Sequence, residues 1–165
     1  MTDGGSSVPE VQALLRVLAA GRDVAELGTA FGEGAAAMAE TARSIVTVEL
    51  DPERAAVARR RLEGIANVEL LEGDWRDAMR GRGPFGLVYA DAGAYDWEAI
   101  LELTEPGGLI VKDDLAPGAA TDGDPVREFL LRDERLAAVE LTITPAMNVV
   151  VASRRTRARR RTTPA

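Results

Sequence analysis

The chain contains no cysteine and no histidine. Without cysteine there are no disulfides, no thiolate zinc sites and no cysteine nucleophile. Without histidine, serine–histidine catalysis and imidazole-ligated metals are excluded as well. Any metal must therefore be a hard cation held by oxygen, such as Mg²⁺, Mn²⁺ or Ca²⁺. Lysine occurs once, as Lys112, and aromatics are sparse, with three Phe, two Trp and two Tyr. No apolar run approaches the roughly 18 residues of a membrane span, so no membrane partner is expected. The N-terminal stretch MTDGGSSVPEVQ lacks the basic and apolar regions of a signal peptide, and a cytoplasmic location is expected.

What is present suits one folded domain: 165 residues with 46% apolar content. The net charge of −7 is uneven. Arg154, Arg155, Arg157, Arg159, Arg160 and Arg161 supply six of the 20 basic residues. The other 14 face 27 acidic residues, a balance of about −13. An acidic body with a short basic end argues against a dedicated nucleic-acid binder. Residues 154–165 show no periodicity and are expected to form a disordered tail behind a domain of residues 1–153.

Strand and helix patterns alternate along that domain. Ser7 is placed to cap a helix whose apolar residues recur at Val11, Leu14, Leu15 and Leu18, up to Gly21. Strands are expected at Asp23–Leu27, Ser44–Leu50, Asn67–Leu71, Phe85–Ala90 and Leu109–Lys112. Helices are expected from Ala35, after Asp51-Pro52, at Trp75–Met79, at Trp97–Leu103 and at Pro125–Leu131. Ala137–Ile143 and Met147–Ala152 read as a closing hairpin. The pattern predicts an α/β fold: a doubly wound, Rossmann-like, mostly parallel seven-stranded sheet with a C-terminal antiparallel hairpin. An edge hairpin of this kind would permit a homodimer.

The stretch VAELGTAFGEGAAA follows the first strand and opens a helix. Open α/β sheets bind nucleotides at this turn, where helix N–H groups meet a close-packed glycine backbone. Gly32-Glu33-Gly34-Ala35-Ala36-Ala37 formally fits the dinucleotide pattern G-x-G-x-x-A, but Gly28 already occupies the position directly after the strand. The other fit is acidic-x-Gly-x-x-x-Gly, carried by Glu26, Gly28 and Gly32. An acidic residue before the turn suits a cofactor with a cationic amino-acid end and would repel a pyrophosphate. A plain tight turn is the third reading. Glu49, about 20 residues beyond the loop, is spaced to bind a ribose. Asp74 can serve as the N-cap of the helix it precedes.

Asp91 ends the fourth strand, and Asp113 and Asp114 end the fifth. Adjacent parallel strands would bring the three carboxylates to one rim, where their mutual repulsion favours a divalent cation. The alternative is a solvated strand end. Tyr95 and Trp97 flank the same rim and either pack a helix start or stack on an aromatic ligand.

The order ELGTAFG, VELDP, LLEGDWRDAM, FGLVYADAG, PGGLIVKDD resembles the class I S-adenosylmethionine-dependent methyltransferases, and among them the cation-dependent O-methyltransferases of the catechol and caffeoyl-coenzyme A type. The resemblance spans about residues 10–152. It implies S-adenosylmethionine held by Glu26, Gly28, Thr29, Phe31, Gly32, Gly34, Glu49, Leu50, Asp74, Trp75 and Asp91. It implies Mg²⁺ or another divalent cation on Asp91, Asp113 and Asp114, with Asp91 and Asp113 as catalytic residues and a small hydroxylated aromatic acceptor. Three positions depart from the family pattern. Asp114 stands where an asparagine is usual. Ala94 replaces the lysine three residues after Asp91. Lys112 is expected to point to another face than Asp113. RNA or protein acceptors, a metal-independent methyltransferase, an NAD-dependent dehydrogenase and a non-catalytic cofactor-binding module are the competing readings.

Overall fold

The computed structural model describes residues 7–93 and 95–156. Among these residues, seven strands, β1 (Asp23–Leu27), β2 (Ser44–Glu49), β3 (Val68–Glu72), β4 (Phe85–Ala90), β5 (Thr104–Leu115), β6 (Leu136–Thr144) and β7 (Met147–Arg154), form one sheet in the order β3-β2-β1-β4-β5-β7-β6. Neighbours pair in parallel except around β7, which runs antiparallel to both β5 and β6. The predicted doubly wound sheet with its closing antiparallel hairpin is the observed architecture.

Among the described residues, six helices cover the two faces: α1 (Pro9–Ala19), α2 (Glu33–Ala39), α3 (Pro52–Arg61), α4 (Trp75–Ala78), α5 (Trp97–Leu103) and α6 (Pro125–Arg132). Strand alternation sorts the core into two layers. Val24, Ile45, Leu87, Tyr89, Val111 and Val149 pack with Val11, Leu15 and Ala19 of α1. Ala25, Leu27, Val88, Ala90, Ile110 and Val150 pack with Trp75, Ile100, Leu101 and Leu130 on the opposite side.

Local chemistry starts most of these helices. Asp51, Asp74, Asp96 and Asp124 each accept a backbone N–H of the first turn, and Pro52 and Pro125 occupy the position where a missing N–H costs nothing. The α1 start differs from expectation. Its N-cap is Val8 with no side-chain cap, because the Ser7 hydroxyl is instead bonded to the Tyr89 hydroxyl across the fold at 3.1 Å.

Strand β5 is much longer than predicted, because Glu105-Pro106-Gly107-Gly108 reads as a turn yet lies within the strand. At its other end a bulge interrupts the ladder. Lys112 pairs with Val150, but Leu115 pairs with Asn148, so β5 carries one extra residue. Asp114 takes up the irregularity with φ of 57°.

The closing strand runs two residues past the expected Ala152. Strand β7 continues through Arg154, whose Nη1 donates to the Leu101 and Thr104 carbonyls, while Arg155 Nε donates to Leu136 O. Residues 157–165, with the other four arginines, lie outside the described residues.

Beneath the bulge, Arg127 is 2% exposed and donates to Glu140, Asp124 and the Ala116 carbonyl. Removing it would take the guanidinium from two partly buried carboxylates and a carbonyl, leaving Glu140 with Asn148 and Asp124 with the α6 backbone as partners. We expect Arg127→Ala to cost about 2–3 kcal/mol, because the partners keep some access to water. At this chain length that lowers the melting temperature by roughly 5–10 °C. A shift under 2 °C in a thermal melt would show that the network adds nothing.

Candidate active site

The C-terminal ends of the parallel strands form a rim stitched by backbone hydrogen bonds. Gly28 N and Thr29 N donate to Val48 O, Gly73 N to Glu49 O, and Asp91 N to Leu27 O. A cavity of about 1090 Å³ opens over this rim. Of the predicted cofactor and metal residues, Gly28, Glu49, Leu50, Asp74, Trp75, Asp91, Asp113 and Asp114 line it. Glu26, Thr29, Phe31, Gly32 and Gly34 are not among its lining residues.

At one end of the cavity, Glu49 is held rigidly. Its Oε2 accepts from Ala30 N at 2.7 Å and its Oε1 from Asp51 N at 2.9 Å. The remaining lone pairs of the carboxylate are left for a ligand's hydroxyls. Asp74 is fixed as the N-cap of α4 by Arg76 N at 2.8 Å, so its two predicted roles are compatible. Trp75 is buried beside it, with the Arg76 guanidinium 5.0 Å from its ring centroid. Leu50 is 70% exposed at the same end and offers an apolar surface on the cavity lining.

Behind the glycine loop lies a buried polar chain. Thr47 donates to Glu26, and the Thr29 and Thr47 hydroxyls are bonded to each other. Glu26 is 1% exposed. Burial, partly opposed by the Thr47 bond, pushes its carboxyl up to about 8, with Asp91, Asp113 and Glu49 adding repulsion. The glycines answer to the protein's own packing. A Cβ on Gly34 would lie 2.4 Å from Glu26 Oε1, and one on Gly32 would lie 3.3 Å from Ala58 Cα of α3. One on Gly28 would lie 2.9 Å from the Asp91 carbonyl.

The other end of the cavity holds the carboxylates. Asp91, Asp113 and Asp114 each offer an oxygen within 4.8 Å of the others. Asp113 is 2% exposed, and its Oδ2 accepts from the Tyr89 hydroxyl at 2.7 Å. Lys112 was expected to face away, and it does not. Its Nζ lies 3.4 Å from Asp113 Oδ1 and 3.8 Å from Asp91 Oδ1. Alternation does place the Lys112 and Asp113 Cα–Cβ bonds on opposite faces. However, the last β4–β5 pair is Tyr89–Val111, so Lys112 and Asp91 lie at the rim, past the paired part of the two strands. The four-carbon stem crosses the rim there. Lys112 is only 5% exposed.

One ammonium does not neutralise three carboxylates. Burial first, then the Asp113 charge, raises Asp91 to about 8, and Lys112 only partly opposes them. Asp114 is raised as well, by burial and by Asp113. Burial pulls Lys112 down, but Asp113, Tyr95 and Asp91 more than offset it and hold its pKa above the ordinary value. Tyr89 stays protonated, raised well above its usual range chiefly by burial, and so remains a donor to Asp113.

Tyr95 closes this end. Its ring stacks on Trp97 at 4.8 Å and Trp97 stacks on Phe129 at 5.5 Å, while Lys112 Nζ lies 5.6 Å from the Tyr95 centroid. Trp97 therefore packs, and Tyr95 both packs and lines the cavity. Ala94 lies outside the described residues. Lys112 and Tyr89 are the site residues that sequence reasoning missed. The spacing of Tyr89, two residues before Asp91 and across from Val111, was the available signal for the second.

A parallel sheet, a glycine loop after β1, a clamped acidic residue after β2 and a carboxylate after β4 now stand together, and residues 25–115 match the family described as methyltransferase domain. The chain belongs to the methyltransferase domain family. A protein-L-isoaspartate O-methyltransferase of Rhodopseudomonas palustris (strain BisB5) is 33% identical over 79% of this chain and 61% of its own length. A catechol O-methyltransferase of Niastella koreensis (strain DSM 17620) is 31% identical over 62% of this chain and 53% of its own. Among solved structures, cofactor-bound Rv0187 from MTB is 26% identical and superposes with a TM-score of 0.77, covering 91% of this chain and 82% of that one. The methyltransferase domain described here spans about half the length of the curated relatives it matches. Among its described residues, no helix is long and apolar enough to cross a membrane.

Proposed function

We propose that the chain binds S-adenosylmethionine in the rim cavity and methylates an oxygen of a small hydroxylated aromatic molecule. The observation that carries this reading is a single cavity joining the Glu49–Asp74–Trp75 end to the Asp91–Lys112–Asp113 end. Glu49 suits a ribose diol, and Leu50 with Trp75 suits an adenine between apolar surfaces. The net-negative end suits a sulfonium. When bound, S-adenosylmethionine supplies an electrophilic methyl group, and its transfer to an acceptor oxygen leaves the neutral thioether S-adenosylhomocysteine. Asp113, and Asp91 in its ionised form, offer carboxylates to receive the acceptor's proton. The fixed rim backbone aligns nucleophile and methyl, which accounts for much of the rate when the methyl is already activated.

A protein carboxyl acceptor is the second reading, favoured by the isoaspartate-methylating relatives. Charge argues against it, since a peptide carboxylate would approach three acidic side chains offset by one lysine. RNA is disfavoured for the same reason.

The resemblance also implies a divalent cation on Asp91, Asp113 and Asp114, and three carboxylates suit one in kind. The Lys112 ammonium opposes it. A divalent ion bound to the oxygens that Lys112 faces would lie within about 6 Å of Nζ, a repulsion on the order of 5 kcal/mol or more at an effective dielectric of 20. The residues as arranged do not fit a resident metal.

The test is calorimetric titration of S-adenosylhomocysteine, followed by methyl transfer from labelled S-adenosylmethionine to catechols and to an isoaspartyl peptide. One-to-one binding with methylated catechol is expected. Absence of binding would remove the cofactor reading. Methylation of the peptide alone would replace the small-molecule acceptor with a protein one.

A further inference from the structure

We infer that Lys112 is the built-in cation of the acceptor site, standing where a divalent metal would otherwise be needed and holding the acceptor's oxygen beside Asp91 and Asp113. The inference rests on the proposed methyl-transfer reading for its acceptor, but not for its electrostatics.

Three observations support it. First, the ammonium is almost completely buried yet lines the cavity, an arrangement costly for a lysine without a partner or a task. Second, its distances to Asp113 and Asp91, 3.4 and 3.8 Å, exceed the 2.7–2.9 Å of committed charge-assisted bonds. The third side of the ammonium faces Tyr95, so an incoming oxygen would replace one of these long carboxylate contacts. Third, three of the oxygens a metal would draw on are already engaged. Asp113 Oδ2 accepts from Tyr89, and the Oδ1 atoms of Asp113 and Asp91 both face the ammonium. Tyr95, whose ring flanks Nζ, would form the wall against which a planar acceptor lies.

The arrangement also explains how the chain can do without the lysine that the family resemblance puts at position 94. The positive charge reaches the same carboxylates from the neighbouring strand.

The experiment is Mn²⁺ binding, followed by electron paramagnetic resonance, to the full chain, to Lys112→Met, to Lys112→Arg and to Lys112→Met/Asp113→Asn. The wild type and Lys112→Arg are expected to show no stoichiometric Mn²⁺. Lys112→Met is expected to gain one site, at least tenfold tighter, that the double variant loses. Methyl transfer by the wild type should be indifferent to a chelator. Lys112→Met should lose about 100-fold and recover in part with Mg²⁺, while Lys112→Arg retains most of the rate. Stoichiometric Mn²⁺ on the wild type, or no gain in a folded Lys112→Met, would overturn the inference. The wild-type titration decides it even if Lys112→Met does not fold. Failure of S-adenosylhomocysteine to bind would count against the function reading instead, and leaves the metal titration interpretable.

Discussion

Gly28→Ala is expected to destabilise the chain by about 3–5 kcal/mol and to weaken S-adenosylhomocysteine binding by at least 100-fold. Two causes add. Gly28 has φ of 101°, where an L side chain is strained. Its Cβ would also lie 2.9 Å from the Asp91 carbonyl carbon and oxygen and 3.0 Å from Ala92 N. These are backbone atoms that cannot rotate away, so β4 and the loop after it must shift. That displacement moves Asp91, which links the two ends of the cavity. Gly21→Ala is the control. It has φ of 68° but nothing within 4 Å of its Cβ, so it should cost only the strain, roughly 1 kcal/mol. Urea unfolding of both variants, with calorimetry on each, separates the causes. Equal losses in the two would show that the clash with Asp91 is relieved at no cost.

Glu26→Gln is expected to stabilise the cofactor-free protein at alkaline pH and to leave it unchanged in acid. The folded-state pKa of Glu26, about 8, lies above its ordinary 4.5. The native state therefore holds a proton that the unfolded chain releases as pH rises. Stability from this group is full below about 4.5 and falls progressively until about 8, beyond which the loss is complete. The interval corresponds to roughly 4–5 kcal/mol as an upper value. Glutamine cannot ionise and can still accept from Thr47. The difference in unfolding free energy between variant and wild type should thus grow from near zero at pH 4.5 to several kcal/mol at pH 8.5. Parallel pH profiles from urea melts at pH 4.5 to 9 would mean that Glu26 ionises without penalty.

Both expectations show how the glycine loop differs from its sequence reading. Glu26, Gly32 and Gly34 were legible as a motif but not as a layer. Gly34 makes room for the buried Glu26, and Gly32 lets the loop approach Ala58. Cofactor approach alone explains neither.

Local rules settled much of the rest. Strand and helix periods place the alternating elements, Asp51-Pro52 and Asp124-Pro125 start their helices, and parallel pairing requires Glu49, Asp74, Asp91 and the Asp113-Asp114 pair to share one rim. These follow from sequence alone because they depend on neighbours within a few residues and on the handed, parallel geometry of such sheets. Tertiary structure decided what long-range proximity controls. The PGG stretch joins β5 because Phe85 and Thr104 are strand partners. The bulge at Asp113-Asp114 is set against β7, more than 30 residues away in the chain. Lys112 meets Asp91 and Asp113 because β4–β5 pairing ends one residue before it. Alternation specifies where a side chain leaves the backbone. Where a long, charged one ends depends on the carboxylates that surround it in the folded chain.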